Sequence, residues 1–443
     1  MRKGSQYFTR FIDSKLLEWR DDVNKKPLLL RGARQVGKSS AVKKLGETFV
    51  HYLEVNFEMD KDVKFFFENS LHPDDICSKL SAYYNVPIIE GKTLLFFDEI
   101  QSCIPAISSL RFFYEKKPHL HLIAAGSLLE FALNEVPSYG VGRIRSMFMY
   151  PFSFDEFLMA LNEISLLEIK RQANSQNPLL LPFYNKLVDY FKTFLMIGGL
   201  PEVVKTYVKT RDYLSCSMIL NDLLLTYVDD FAKYKDRINT NHLTTVFNAV
   251  AKNAGQKFIF SHVSDQMYIQ QVKECLSLLE MSGIIIPVTH SAANGIPLGA
   301  ELKEKNKKYI PFDTGIVFKA LSLSFDKFLS NNDFTTVNRG YIAEIFAGLE
   351  IQKYQDCHNR VALYYWQREE KSGNAEVDYL IQQKQSILPI EIKSGTKGSM
   401  QSLRYFMEKK NITKGLRSSL ENFSKYDSIE VIPLFALSNV FVD

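Results

Sequence analysis

The chain of 443 residues is 46% hydrophobic and 23% charged, has 21 glycines and 15 prolines, and carries a formal charge of +4. Its length suits about two to four domains at roughly 100–200 residues each, and its composition excludes a largely disordered or collagen-like chain. The charge permits contact with nucleic acid without demonstrating it.

No apolar run approaches the roughly 20 residues of a bilayer helix, so no membrane partner is expected. The first residues, MRKGSQYFTRF, lack the apolar segment and cleavage site of a signal peptide, and the expected location is cytoplasmic. Cys77, Cys103, Cys216, Cys275 and Cys357 are scattered, odd in number and without a CxxC pair. That spacing supports neither a disulfide framework nor a zinc ribbon.

Lys26–Arg31 reads as a short buried parallel strand. It runs into Gly32-Ala33-Arg34-Gln35-Val36-Gly37-Lys38-Ser39, which fits G-x-x-x-x-G-K-[ST] at every fixed position. Glycines allow a tight loop whose N–H groups wrap nucleotide phosphates. Lys38 would reach the β/γ-phosphates and Ser39 would ligate Mg²⁺, with Ser40 opening a helix whose N-terminus faces the anion. After a second strand at Phe49–Phe57, the apolar run Lys92–Phe97 ends in Asp98-Glu99. This is the form of a Walker B element. Asp98 would hold Mg²⁺ through water, and Glu99 would polarise the water that attacks the γ-phosphate.

The run His119–Ala125 leads to Gly126-Ser127. Ser127 suits a γ-phosphate sensor on the strand between the two loops, or an N-cap of a helix at Leu128–Asn134, and the two roles are compatible. Arg143 could make a phosphate contact in cis or in a neighbouring subunit, although an isolated arginine is more often a surface charge.

The segments RGARQVGKS, LLFFDEIQ, IAAGSLL, GVGR and YPFSFDEFL together resemble the bacterial and archaeal AAA-like ATPases that carry a C-terminal DUF4143 domain. FLMIGGLPEVV at Phe194–Val204, LLEMSGIII at Leu278–Ile286, YIPFDTGI at Tyr309–Ile316 and EVDYLI with ILPIEIKSG at Glu376–Gly395 agree, so the likeness spans nearly the whole chain. It implies an ATP- and Mg²⁺-dependent core. Such proteins usually have Thr after the loop lysine, and Ser39 keeps the hydroxyl. The resemblance carries over no arginine finger.

Phe152–Leu167 and Leu179–Leu195 read as helices flanking the ATPase, and Gly198-Gly199-Leu200-Pro201 breaks the chain. A helix at Asn221–Tyr234 follows. Leu243, Val246, Phe247 and Val250 share one helical face, and a second helix carries Ile269, Val272, Leu276 and Leu279. A strand at Ile284–Val288, a turn at Ala292–Gly295 and the lysines Lys303, Lys305, Lys307 and Lys308 then suggest a wing. Winged helices dock on DNA or between protein domains, and both readings stand.

Tyr341–Glu350 reads as a helix carrying Glu344. Ala375–Ile381 and Ile387–Lys393 form a hairpin whose period of two puts Glu391 and Lys393 on one face, with Asp378 able to join them. This is the D…E-x-K constellation of restriction-endonuclease-like nucleases. Asp378 and Glu391 would bind Mg²⁺ with Glu344 as a further acid, while Lys393 would steady the attacking water. A folded relic with these groups ion-paired is the alternative.

The expected fold is α/β: a P-loop NTPase parallel sheet with helical extension (1–195), a winged-helix-like region opening the DUF4143 part (196–330), and a restriction-endonuclease-like α/β domain closing it (331–443). The expected activity is Mg²⁺-dependent ATP binding and hydrolysis coupled to the C-terminal parts. Expected partners are ATP, then DNA, a protein or a second copy of the chain.

Overall fold

The computed structural model describes residues 7–127, 129–135, 142–231, 239–323, 339–368, 375–396 and 398–441. They fall into two compact units, residues 1–151 with the return segment Asp356–Arg360, and residues 152–355 with 361–443.

The first unit is built on β1 (Leu28–Arg31), β2 (His51–Asn56), β3 (Thr93–Asp98), β4 (His121–Ala125) and β5 (Arg145–Phe148). All pairs are parallel, in the order β2-β3-β4-β1-β5. Every residue of β3 and β4 is buried, which is why both read as near-continuous apolar runs in the sequence. Leu53, Val55, Phe97 and Leu122 of the strands pack with Ile76, Leu80, Ile107 and Phe113 of the covering helices. The order puts β4 between β1 and β3, so the segments after these strands emerge at one end of the sheet. The helix after β4 spans Leu129–Glu135, and Leu128, its expected first residue, lies outside the described residues.

The second unit holds one eight-stranded sheet of β6 (Ile285–Ser291), β7 (Leu302–Pro311), β8 (Leu363–Gln367), β9 (Glu376–Gln383), β10 (Ser386–Ile392), β11 (Gly415–Ser419), β12 (Ser424–Tyr426) and β13 (Ile429–Pro433). The order is β12-β13-β11-β10-β9-β8-β6-β7. The antiparallel hairpin β9–β10 has the expected form. Pro389 lies opposite Leu380 on β9, one residue before pairing with β11 begins at Ile390, so its missing N–H costs no bond to β11.

Three expectations change here. The hairpin β6–β7, expected as a wing, pairs through β6 in parallel with β8 and is continuous with the sheet of the last third. Lys308 does not lie on a charged edge but is buried, whereas Lys303 and Lys305 are exposed. The stretch expected as one helix at Phe152–Leu167 is two, Phe154–Ala160 and Ile164–Gln172, divided at Asn162 with its φ of 62°. These helices belong to the second unit, where Phe154 packs edge-on against Phe191 and Phe194. The border expected at 330/331 and the end of the helix that begins at Tyr213 and is described to Phe231 lie outside the described residues.

Two of the resemblance segments interlock. Asp313 caps the helix Thr314–Ala320 by accepting from Ile316 N at 3.1 Å, and it also accepts from Gly199 N at 2.7 Å. A Cβ on Gly315 would stand 2.4 Å from the Ile197 carbonyl oxygen, and one on Gly199 would stand 2.4 Å from that of Phe152. Asp313→Ala leaves the buried Gly199 N–H unpaired and is expected to cost roughly 1–3 kcal/mol. Gly315→Ala overpacks the same joint for a cost of about 1–3 kcal/mol. Urea unfolding followed by Trp366 fluorescence in a Trp19→Phe background reads both; unchanged midpoints would remove the joint from the stability of this unit.

Candidate functional site

The loop after β1 keeps positive φ at Gly32 (145°), Gln35 (63°) and Gly37 (99°). A Cβ on Gly32 would lie 2.1 Å from the Met149 carbonyl oxygen, so the cradle requires glycine there. The helix Lys38–Gly46 starts at the end of the loop, with its free N–H groups facing the cradle. Lys38 is buried and donates to the carbonyl oxygens of Gly32 at 2.9 Å and Ala33 at 2.8 Å. Burial draws its pKa down to about 8, against the pull of Glu99 and Asp98.

Ser39 Oγ stands 3.1 and 3.0 Å from the two carboxylate oxygens of Asp98. Burial and the neighbouring Glu99 raise the pKa of Asp98, while the Ser39 hydrogen bond opposes them. Asn56, in register with Asp98 on β2, donates to it at 3.4 Å. Glu99 leaves the strand with a left-handed φ of 49°, and its Oε2 accepts from Gln101 Nε2 at 2.7 Å. An adjacent hydroxyl and carboxylate beside a phosphate cradle form the oxygen donor set that suits Mg²⁺.

A second cluster of charges lies on the sheet of the other unit. Lys393 donates to Glu391 Oε1 at 2.5 Å, and Ile392 N donates to Asp378 Oδ2 at 2.7 Å. After burial, Asp378 is the largest influence on Glu391, whose pKa is pushed up to about 7. Burial likewise raises Asp378, and burial together with Asp378 raises Glu344 well above the ordinary range. The expected residues therefore gather. Two more join them: Lys308 pairs with Glu376 and lies 4.0 Å from Glu344 Oε2. Among the described residues, these acids do not bring three ligand atoms within 4.8 Å of one another; the set that does is Asp356, Cys357 and His358.

Residues 24–158 match the family model of an AAA domain, residues 188–327 that of a domain of unknown function, DUF8612, and residues 339–437 that of DUF4143. The chain joins an AAA domain to a C-terminal DUF4143 domain. No curated protein matches it. Among solved structures, a Signal Transduction ATPase with Numerous Domains (STAND) protein with a tetratricopeptide repeat sensor, from Pyrococcus horikoshii, aligns at 9% identity with a TM-score of 0.28. That alignment covers 79% of this chain and 46% of the STAND protein, so the chain spans less than half of its length. A Vibrio cholerae protein aligns at 10% identity and a TM-score of 0.20, over 94% of this chain and 96% of its own. Likeness at these scores bears no functional argument.

In the AAA domain, Ser127 is buried just beyond the end of β4, at the end of the sheet where the P-loop and Asp98 meet. Arg143 is paired with Glu115 at 2.6 Å and half exposed.

Sequence reading missed Arg10. Its buried guanidinium donates to Val36 O of the loop at 3.2 Å and to Tyr150 O at 2.8 Å, bracing the cradle from outside. No local pattern around residue 10 signals this. Gln101 and Asn56 were legible only as neighbours of Glu99 and of a strand end. Arg10→Ala is expected to weaken ATP binding about tenfold to a hundredfold, the range of a charge-assisted hydrogen bond. Titration with a fluorescent ATP analogue checks this, and an unchanged Kd would detach Arg10 from the site.

Proposed function

We propose that the chain is a Mg²⁺-dependent ATP hydrolase whose nucleotide state is coupled to its C-terminal unit. The observation that carries this reading is the approach of Ser39 Oγ to within 3.1 Å of both Asp98 oxygens, with Glu99 next in the chain. The loop N–H groups and Lys38 bind the β/γ-phosphates, Lys38 exchanging its two carbonyl acceptors for phosphate oxygens. Ser39 and Asp98 would hold Mg²⁺, which supplies charge stabilisation to the phosphates. Glu99 accepts the proton of the attacking water, and Gln101 holds that carboxylate in position. Ser127 contacts the γ-phosphate from β4. Arg143 has no role in this reading.

Coupling is supported by the return segment. Asp356–Arg360 follows the helix that bears Glu344, Arg339–Lys353, and precedes β8. It belongs to the first unit, where Phe148 N of β5 donates to Cys357 O at 2.7 Å. Lys38→Ala is expected to abolish tight ATP binding. Glu99→Gln should bind ATP normally and hydrolyse it about 10²–10⁴-fold more slowly, the range of a lost general base. Wild-type turnover by Glu99→Gln in a phosphate-release assay would overturn the assignment of Glu99.

DNA is the proposed partner of the C-terminal unit, through Lys303, Lys305 and Lys307 on β7. The Lys393–Glu391 ion pair, with Asp378 Oδ2 held by Ile392 N, favours a second reading for the hairpin: a nuclease-like fold that binds without cutting, in an ATP-gated switch or scaffold. Changing the three lysines to Glu should weaken duplex binding at least about tenfold at low salt and flatten its salt dependence. Unchanged anisotropy titrations would leave these lysines as guards of an open sheet edge and favour a protein partner.

A further inference from the structure

Buried carboxylates need a positive partner, and in the second unit part of that charge arrives from the outermost strand of the sheet. The Lys308 side chain on β7 is 3% exposed, ion-paired with Glu376 and 4.0 Å from Glu344 Oε2. Its ammonium also lies 4.8 Å from the centre of the Tyr365 ring, which adds a cation–π contact. Burial draws its pKa down, but Glu344, Glu376 and Asp378 outweigh burial and hold it above the ordinary lysine value. On β10, Glu391 is 4% exposed; Lys393 holds its Oε1, and its Oε2 is buried without a hydrogen-bond partner, so the cluster keeps one unused acceptor.

We propose that Lys308 is the resident cation of this cluster, supplying beside Glu344 and Glu376 the positive charge that a divalent metal supplies in a D…E-x-K nuclease, and that the site takes up a divalent cation only when Lys308 is removed or withdrawn. The inference rests on the second reading above, the hairpin as a nuclease-like fold that does not cut, and is independent of ATP hydrolysis. A fixed ammonium and a divalent ion compete for the same negative charge. The repulsion between them at a separation of about 5–6 Å weakens metal binding by roughly a hundredfold or more. Withdrawal runs through the side chain alone, because β7 is paired with β6 and also accepts from Phe258 N at Lys307 O at 3.0 Å.

The test uses the full chain without nucleotide and Mn²⁺ alone as the probe, counted by electron paramagnetic resonance, in wild type, Asp378→Asn, Lys308→Met and the double variant. Wild type is expected to show no ion that Asp378→Asn removes. Lys308→Met should gain one ion per chain, bound roughly a hundredfold or more tighter than anything wild type holds there, and the double variant should lose it. An Asp378-dependent ion in wild type overturns the proposal, and DNA cleavage with it overturns the non-cutting reading as well. A folded Lys308→Met chain that gains no ion overturns the proposal alone and leaves the non-cutting reading standing. Should Lys308→Met fail to fold by circular dichroism, the comparison of wild type with Asp378→Asn decides by itself: an ion that depends on Asp378 sinks the idea, and its absence supports it.

Discussion

A charge taken out of water must be matched within a few ångströms, because the desolvation of an unmatched ion costs more than most single interactions return. Two lysines of this chain meet that requirement in opposite ways. Lys38 is buried against the neutral carbonyl oxygens of Gly32 and Ala33, and its pKa falls to about 8. Dipoles satisfy it only partly, so an arriving phosphate improves its lot. Lys308 is buried among acidic side chains, and its pKa rises. It has no comparable need of a ligand. The same side chain thus makes an open anion site in one unit and a closed cluster in the other, and the difference lies in what the surrounding strands present.

The same constraint accounts for parts of the chain that carry no visible chemistry. Asp155 and Lys170 are fully buried and pair at 2.7 Å, and Ser438 Oγ accepts from the same ammonium at 2.6 Å. Ser153 and Glu156 form a reciprocal cap one turn away. The segment YPFSFDEFL is therefore a structural device at its acidic positions: one carboxylate caps a helix and the other neutralises a buried lysine. Asp313 does similar work between Gly198-Gly199 and its own helix, where two glycines supply the approach that a Cβ would block.

What the sequence made legible follows from range. The P-loop, Asp98-Glu99 and the β9–β10 hairpin are local patterns, each confined to a stretch of fewer than twenty residues and each matched by the fold. Arg10 and Lys308 act across long separations and left no local trace. A run of lysines reads as a solvated face, and three of the four positions do carry partly or fully exposed side chains. The fourth is turned inward because successive residues of a strand point to opposite sides, so Lys307 and Lys308 cannot share an environment. The parallel pairing of β6 with β8 was equally hidden, since it joins residues some distance apart in the chain and has no turn to announce it. Arg143 pairs with Glu115 on a neighbouring helix, a contact that no local pattern announces.

Coupling between nucleotide and the C-terminal unit requires that some element differ in free energy between two nucleotide states. Chain connectivity narrows where to look. β5 pairs with β1, the strand that feeds the P-loop, and also holds the return segment through Phe148 N and Ser146 O. The residues on either side of that segment are the helix of Glu344 and the strand β8. Any shift of β1 against β5 therefore acts on a segment tied covalently to one carboxylate of the buried cluster and to a strand of its sheet.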